Sequence, residues 1–190
     1  VYAAWGEDNW TSFSGTSAAT PFVAGGIAAT LSLDPSLTPQ QAADIVLKYA
    51  NDASAPGDDV YLGQGILNMD RVVNRDERGI ADAAVADFYF DFENATDTTL
   101  PLLVTVQNRG TENLPSISIK VTENEGNQQL IYLGQLTVDQ TTSHTIYLDR
   151  DQLTSENGYS ISAETILNGQ TDSRRENDAK SGSLKLEPEE

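Results

Sequence analysis

The sequence predicts two domains, an N-terminal helical segment of an α/β fold and a C-terminal antiparallel β-sandwich. Its 190 residues are enough for two small domains. Hydrophobic residues recur at helical spacing as far as Val73, and beyond the polar stretch 74–79 they alternate with the period of a β-strand. We therefore expect one domain over residues 1–78, a second over 79–186 and a frayed tail over 187–190.

The composition is strongly acidic. The chain has 29 Asp and Glu against 11 Lys and Arg, a net charge of −18. This charge repels nucleic acid and anionic membranes, so we expect neither as a partner. No run of about 18 apolar residues is evident, so we expect no membrane span. The sequence has no cysteine, so the presence or absence of disulfides cannot indicate whether the protein is extracellular or intracellular.

Helical spacing predicts a first helix from Ser17 to about Leu33. Its apolar residues lie on all sides, which is typical of a buried core helix. We expect Gly25 and Gly26, which have no Cβ, to let a neighbouring backbone approach this helix closely. Pro21 falls in or near the first turn, where its missing N–H costs little.

Two further helices carry clear start signals. Thr38, followed by Pro39 and by Gln41 three residues after the cap, forms a capping box. After a glycine turn and a short extended piece, Asn68 caps a third helix.

Alternating hydrophobic runs predict seven strands after residue 79. They are DFYFDF, LLVTVQN, SISIKV, QLIYLGQL, HTIYL, YSISAETIL and SLKL. Seven short strands between polar turns predict an immunoglobulin-like sandwich with Greek-key connections. We assign Phe88, Phe90 and Phe92, on one face of the first strand, to the core rather than to a ligand platform. The acidic turn Glu93–Thr99 offers oxygens to calcium but matches no complete calcium loop, so a solvated turn is the favoured interpretation.

Ser17 lies in a glycine turn, FSGTSAATPFVAGG, that runs directly into the first helix. A serine at this place is either the N-cap of the helix or a nucleophile held by it. For a nucleophile, the free N–H groups and the dipole at the helix N-terminus would stabilise a developing oxyanion. Gly15 would let a substrate backbone come close because it has no Cβ.

The longer string SGTSAATPFVAGGIA resembles the nucleophile segment of the subtilisin-like serine peptidases, whose pattern is G-T-S-x-[AS]-x-P-x-V-[AS]-G. LSLDPSLTPQQAADIVLKYA resembles the family's next helix, GQGILN resembles the strand and helix that close its catalytic domain, and VYAAW resembles the strand that leads into the serine loop. The resemblance covers residues 1 to about 75. It implies a secreted serine endopeptidase acting on peptides, with Ser17 as nucleophile, the Ser17 N–H in the oxyanion hole, and Gly15 and Thr16 beside the substrate.

The sequence departs from the family in two ways. Ala18 and Phe22 stand where many members have Met and His, but neither position belongs to the triad. The triad runs Asp, His, Ser along the chain, so its Asp and His, and the oxyanion-hole asparagine, would precede Val1. The chain begins without Met, so we expect that upstream residues of the same precursor were removed and that this chain is inactive without them. We interpret His144, the single histidine, as a strand residue rather than the missing base.

The missing upstream part also affects folding, since an all-round apolar helix needs the parallel sheet and partner helices of an α/β domain as cover. We expect the missing part to stay docked as a separate chain, or the exposed helices to associate with another copy, or this segment to be poorly ordered.

The second domain resembles, in LLVTVQNRGTENLPSISIKVTEN, the adhesion-like β-sandwich modules of secreted bacterial and archaeal proteins. Three roles are open for it: a spacer, a binding module, or a stabiliser of the catalytic domain. Acyl transfer requires no cofactor, no metal-ligating residues are predicted, and a structural calcium ion is compatible with the resemblance. The alternative function is a non-catalytic binding or adhesion protein whose β-sandwich is the functional part.

Overall fold

The computed structural model describes residues 2–4, 8–124, 126–153 and 158–185, so the tail at 187–190 lies outside the described residues. Contacts divide the chain into two compact units. The helical unit comprises Val1–Ala50 and Leu67–Asn74, and the β unit comprises Asn51–Ile66 and Arg75–Glu190. Residues 51–66, which the sequence assigns to the N-terminal domain, are therefore grouped with the β unit.

The helical unit contains a hairpin and the three expected helices. Strands β1 (Tyr2–Ala4) and β2 (Trp10–Ser12) pair antiparallel, and β2 leads into the serine turn. The helices are α1 (Thr16–Leu33), α2 (Pro39–Lys48) and α3 (Met69–Val73).

Helix α1 buries only a narrow stripe of its surface. Ala18, Gly26 and Thr30 are buried, whereas Phe22 and Leu33 expose 56% and 57% of their surface. Within the described residues, the apolar surface that the sequence predicts on all sides of α1 is thus covered on one side only. The physical reason is that α2 and α3 contact α1 from one side and leave its remaining apolar surface uncovered.

Two details inside α1 also differ from expectation. A Cβ at Gly26 would lie 3.1 Å from Met69 Sδ and 3.2 Å from the Leu67 side chain, so the close neighbours are side chains rather than backbone, and Gly25 has open space around it. Pro21 lies in the second turn rather than the first. Because proline has no N–H, the carbonyl of Ser17 lacks its usual donor four residues on.

Helix α1 is also long and apolar enough to cross a membrane by length and composition, with 18 residues at a mean hydropathy of 1.2. This apolar run differs from the expectation that none is present, although the expectation of no membrane span is not contradicted. The core helix of a soluble protein and a signal sequence meet the same criteria, so this finding is weak evidence for a membrane span.

Both predicted helix caps are confirmed. The Thr38 hydroxyl accepts the Gln41 N–H at 3.3 Å, while the Thr38 N–H donates to Gln41 Oε1 at 2.8 Å. Asn68 Oδ1 accepts the N–H of Arg71 at 3.2 Å at the start of α3. The capping groups thus satisfy amides that the first turn of each helix leaves without a partner.

Arg71 joins α3 to the carboxyl end of α2. Its side chain is buried, and its Nη1 donates to the carbonyl of Ala50 at 2.6 Å and to that of Tyr49 at 3.1 Å. A cation at a helix C-terminus stabilises carbonyls that have no partner within the helix.

The β unit contains the seven predicted strands, arranged in two antiparallel sheets. Their bounds are β3 (Ala83–Phe90), β4 (Thr99–Asn108), β5 (Leu114–Glu123), β6 (Asn127–Leu136), β7 (Thr141–Asp149), β8 (Tyr159–Leu167) and β9 (Ala179–Leu184). The strand orders are β3-β4-β7 in one sheet and β6-β5-β8-β9 in the other. Short 3₁₀ turns follow β7 (Arg150–Gln152) and precede β9 (Arg175–Asn177).

Both sheets contribute to one hydrophobic core. Alternate residues of β4, namely Leu102, Val104 and Val106, contact it from the three-stranded sheet, and Ile117 and Ile119 of β5 contact it from the other. The structure therefore shows a two-sheet antiparallel domain, whereas its finer description as immunoglobulin-like stays a prediction.

A β-bulge in β3 changes which residues of that strand face inward. The register with β4 shifts between Val85 and Asp87, so Val85 pairs with Val106 and Phe88 with Val104. Without the bulge, strict alternation from Val85 would turn Asp87 towards the core. The extra residue instead places Asp87 on the outer face.

The three phenylalanines of β3 and the following turn do not share one environment. Phe88 and Phe90 pack against the core, as predicted. Phe92 lies beyond the strand end and is 60% exposed, with its ring centroid 6.5 Å from that of Phe90, so its assignment to the core is wrong.

Replacing Leu102, which is fully buried, by Ala should lower the free energy of unfolding of the β unit by about 2–5 kcal/mol, because the substitution leaves a cavity in the core. The matched control is Leu130→Ala on β6, where the side chain is exposed and a change within about 0.5 kcal/mol is expected. Urea denaturation followed by far-UV circular dichroism measures both. Equal losses for the two variants would contradict the described core.

Candidate active site

The serine turn is built on one residue with an unusual backbone. Gly15 immediately precedes α1 and has φ 101° and ψ 179°, a conformation that is essentially restricted to glycine. A Cβ at Gly15 would meet no atom within 4 Å, so the backbone conformation rather than lack of space requires glycine. This turn redirects the chain from β2 into the helix.

Ser17 occupies the second position of α1 and is exposed. The carbonyl of Gly15 accepts the N–H groups of Ala18 at 2.9 Å and Ala19 at 3.2 Å. The N–H groups of Thr16 and Ser17 come before these, in the first turn, where no carbonyl of the helix is available to them. The helix therefore presents two amides and the positive end of its dipole beside the Ser17 hydroxyl.

The N-cap interpretation of this serine does not agree with the structure. The N-cap is Gly15, and no side chain makes a capping hydrogen bond there. Among the described residues no hydrogen bond engages the Ser17 hydroxyl. Its assignment as nucleophile, with Gly15 and Thr16 beside the substrate, stays a prediction that is compatible with this geometry.

His144 lies in β7 of the β unit, opposite Val104. It shares the inward side of that strand with Ile146 and Leu148, which contact the core, and it is partly buried. This environment supports its interpretation as a strand residue.

Hydrogen bonds within the turn after β3 occupy side-chain oxygens of Asp91 and Thr96. Asp91 accepts the Asn94 N–H at 3.1 Å and the Asn94 side-chain amide at 2.7 Å, and the Thr96 hydroxyl accepts the Thr99 N–H at 3.0 Å. Across the described residues no group of three or more His, Cys, Asp or Glu is placed to hold a metal ion. Calcium binding therefore stays an untested prediction.

The β unit contains a cavity of about 480 Å³ next to β8 and β9, and several carboxylates lie at or near it. Asp172 and Asp178 line this cavity, and Asp82 is fully buried nearby. Asp82 accepts a hydrogen bond from Asn177 at 3.0 Å and lies 3.9 Å from Arg174 Nε. Sequence patterns could not predict this group, because Asp82 lies about 90 residues before Asp172 and Asp178 in the chain.

The pKa values of both Asp82 and Asp178 are raised to about 6, with burial as the largest cause. The negative charge of Asp172 contributes to the rise of both pKa values, while the hydrogen bond from Asn177 acts to lower that of Asp82. The interior of this end of the β unit therefore favours protonated carboxyl groups at mildly acidic pH.

Comparison with known proteins finds a family similarity in the N-terminal part of the chain. The model of the Subtilase family matches residues 1–65, which contain the serine turn, α1 and α2. The N-terminal third of this chain is subtilase-like. We call residues 1–65 the subtilase segment. Subtilisin DY of Bacillus licheniformis is 36% identical over 70 residues, which are 37% of this chain and 24% of that protein. The chain therefore spans about a quarter of the length of this relative.

The chain is also similar to a solved CARDB domain from Pyrococcus furiosus, whose crystal structure is described as a complex with di-metal ions. The TM-score is 0.40 at 18% identity, over 47% of this chain and 75% of that domain. Similarity at this level supports no argument about function.

The raised pKa values predict how the stability of the β unit depends on pH. The folded protein holds the proton of Asp82 up to about pH 6, whereas the unfolded chain loses it near 3.8. This contribution to stability is therefore present below about pH 3.8 and is lost as the pH rises to about 6.

The Asp82 carboxyl-carbon NMR resonance should accordingly titrate with a midpoint near 6. Asp172→Asn should lower that midpoint, since it removes a neighbouring negative charge. A wild-type midpoint near 3.8, or one that is unchanged in Asp172→Asn, would contradict this assignment.

Proposed function

We propose that this chain is the C-terminal part of a secreted subtilisin-like serine endopeptidase, in which Ser17 is the nucleophile. The observation that carries the proposal is the position of Ser17: exposed, directly after the positive-φ turn at Gly15, and at the N-terminus of α1 with no capping hydrogen bond. The match of residues 1–65 to the Subtilase family supports the same assignment.

In the proposed reaction, Ser17 Oγ attacks the carbonyl carbon of a peptide bond and transfers its proton to a histidine supplied by the upstream part of the precursor. The oxygen of the tetrahedral intermediate would be stabilised by the Ser17 N–H and by the helix dipole. As this intermediate collapses, the histidine passes the proton to the leaving nitrogen, which releases the amine product and forms the acyl-enzyme. Water then hydrolyses the acyl-enzyme, which releases the acid product and restores the Ser17 hydroxyl. The reaction requires no cofactor, and peptides or proteins are the substrates.

The same proposal gives the uncovered surface of α1 a partner. The apolar side chains of Phe22 and Val23 are exposed, and an α/β domain buries such a helix under its parallel sheet. The upstream part of the catalytic domain is the proposed cover, and it would supply the triad Asp and His. By itself this chain should be slower than a complete peptidase by a factor of about 10⁴ to 10⁶.

A fluorophosphonate probe tests this assignment by intact mass and peptide mapping. We expect Ser17 to be labelled when the upstream part of the catalytic domain is added or co-expressed, and to stay unlabelled in the chain by itself. Ser17→Ala should abolish labelling, whereas the matched variant Ser14→Ala, three residues earlier, should keep it. The proposal is wrong if the assembled protein is not labelled, or if Ser17→Ala is still labelled.

A further inference from the structure

The outer face of the β3-β4-β7 sheet is unusually well buried. Ala84, Thr105 and Gln107 point away from the core of the β unit, yet each is at most 4% exposed. They form one continuous surface, because Ala84 pairs with Gln107 across the strands, and Asp87 pairs with Thr105. A face that is buried away from the core must be covered by another segment of the chain.

Residues 51–66 form a closed loop that contacts this face. At its neck, the Asn51 N–H donates to the Ile66 carbonyl and the Ile66 N–H donates to the Asn51 carbonyl, both at 2.8 Å. Gly65 permits the closure, since a Cβ there would lie 2.2 Å from the Asn51 oxygen. A compact loop whose ends meet in this way is an Ω-loop.

Side chains of the sheet hold the backbone of the loop at Asp52. The Asp52 N–H donates to Gln107 Oε1 at 3.0 Å, and the Asp52 carbonyl accepts Arg109 Nη2 at 3.3 Å. Arg109 Nε also donates to Gln107 Oε1 at 2.9 Å, which fixes the orientation of the glutamine. Both backbone groups of one loop residue are thus bonded to β4 and to the residue after it.

Asp87 makes the second attachment. Its Oδ2 accepts the Ser54 N–H at 2.8 Å, and its Oδ1 lies 2.6 Å from Lys180 Nζ of β9. Burial acts to raise the pKa of Asp87, but the hydrogen bonds from Lys180, Ser54 and Phe88 lower it, so the group is an anionic acceptor. The bulge in β3 is what directs this carboxylate to the outer face.

A further hydrogen bond lies next to the neck of the loop, on the side of the helices. Ala50, the residue before Asn51, accepts Arg71 Nη1 at 2.6 Å, which ties the end of α2 to α3. The loop therefore leaves α2 and returns to α3 through a neck that is closed by hydrogen bonds from both sides.

We propose that the outer face of the β3-β4-β7 sheet is an intramolecular clamp for the α2–α3 loop, and that the β unit stabilises helices α2 and α3 by holding this loop. The clamp consists of Gln107, Arg109 and Asp87, and its ligand is the loop backbone at Asp52 and Ser54. Of the three roles open for the second domain, this one is a stabiliser of the segment that contains Ser17. The inference does not depend on Ser17 being a nucleophile.

The test is amide hydrogen exchange, measured by mass spectrometry on the full chain carrying Gln107→Ala. We expect exchange to become about 10- to 100-fold faster in residues 51–66, and also faster in α2 and α3, because a buried hydrogen-bonded acceptor has been removed. Exchange in β8 should stay unchanged, which shows that the β unit is still folded. The matched control is Gln129→Ala, an exposed glutamine on β6, which should change none of these segments.

Two results would overturn the clamp. If exchange accelerates in the loop but not in α2 and α3, the loop is attached to the β unit without stabilising the helices. If exchange is unchanged in both the loop and the helices, the hydrogen bonds of Gln107 stabilise neither of them.

Should Gln107→Ala also accelerate β8, Asp87→Asn provides the decisive measurement, since it removes the charge at the second attachment with little change of shape. The same pattern in the loop and both helices is then expected. Helices that exchange as in the unmodified chain would exclude the clamp.

Discussion

The strict alternation of β4 is the constraint on which the β unit depends. Because successive side chains of a strand point to opposite faces, burying Leu102, Val104 and Val106 in the core necessarily turns Thr105 and Gln107 outward. One strand therefore supplies both the centre of the hydrophobic core and the polar surface that holds a loop. Each function restricts the other, since a shift of register by one residue would exchange the two faces.

The helical unit has the opposite character. Its helices begin and end at well-defined signals, yet α1 leaves most of an apolar surface uncovered within the described residues. Capping groups and Arg71 contribute to its stability beside a small set of buried apolar residues, among them Ala42, Val46 and Val72. The serine turn is nevertheless fully formed, because Gly15 and the first turn of α1 suffice to define it.

The many carboxylates of this acidic chain have structural roles at several places. Asp52 and Asp87 accept backbone N–H groups of the loop at 51–66, and Asp172 accepts those of Ala83 and Arg174. Such bonds satisfy amides in turns that no strand or helix can satisfy. The negative charge thus has a structural use within the fold beside its effect on partners.

Local patterns in the sequence determined the three helices, the seven strands, the caps at Thr38 and Asn68, and the glycine turn before Ser17. These features depend on a few neighbouring residues, so propensity and spacing are enough to predict them. Only the tertiary structure decided that α1 is covered on one side, that Asp87 faces outward after a bulge, and that residues 51–66 are grouped with the β unit. Those outcomes depend on contacts between residues far apart in the chain, such as Asp52 with Gln107, and no local pattern encodes such a partner.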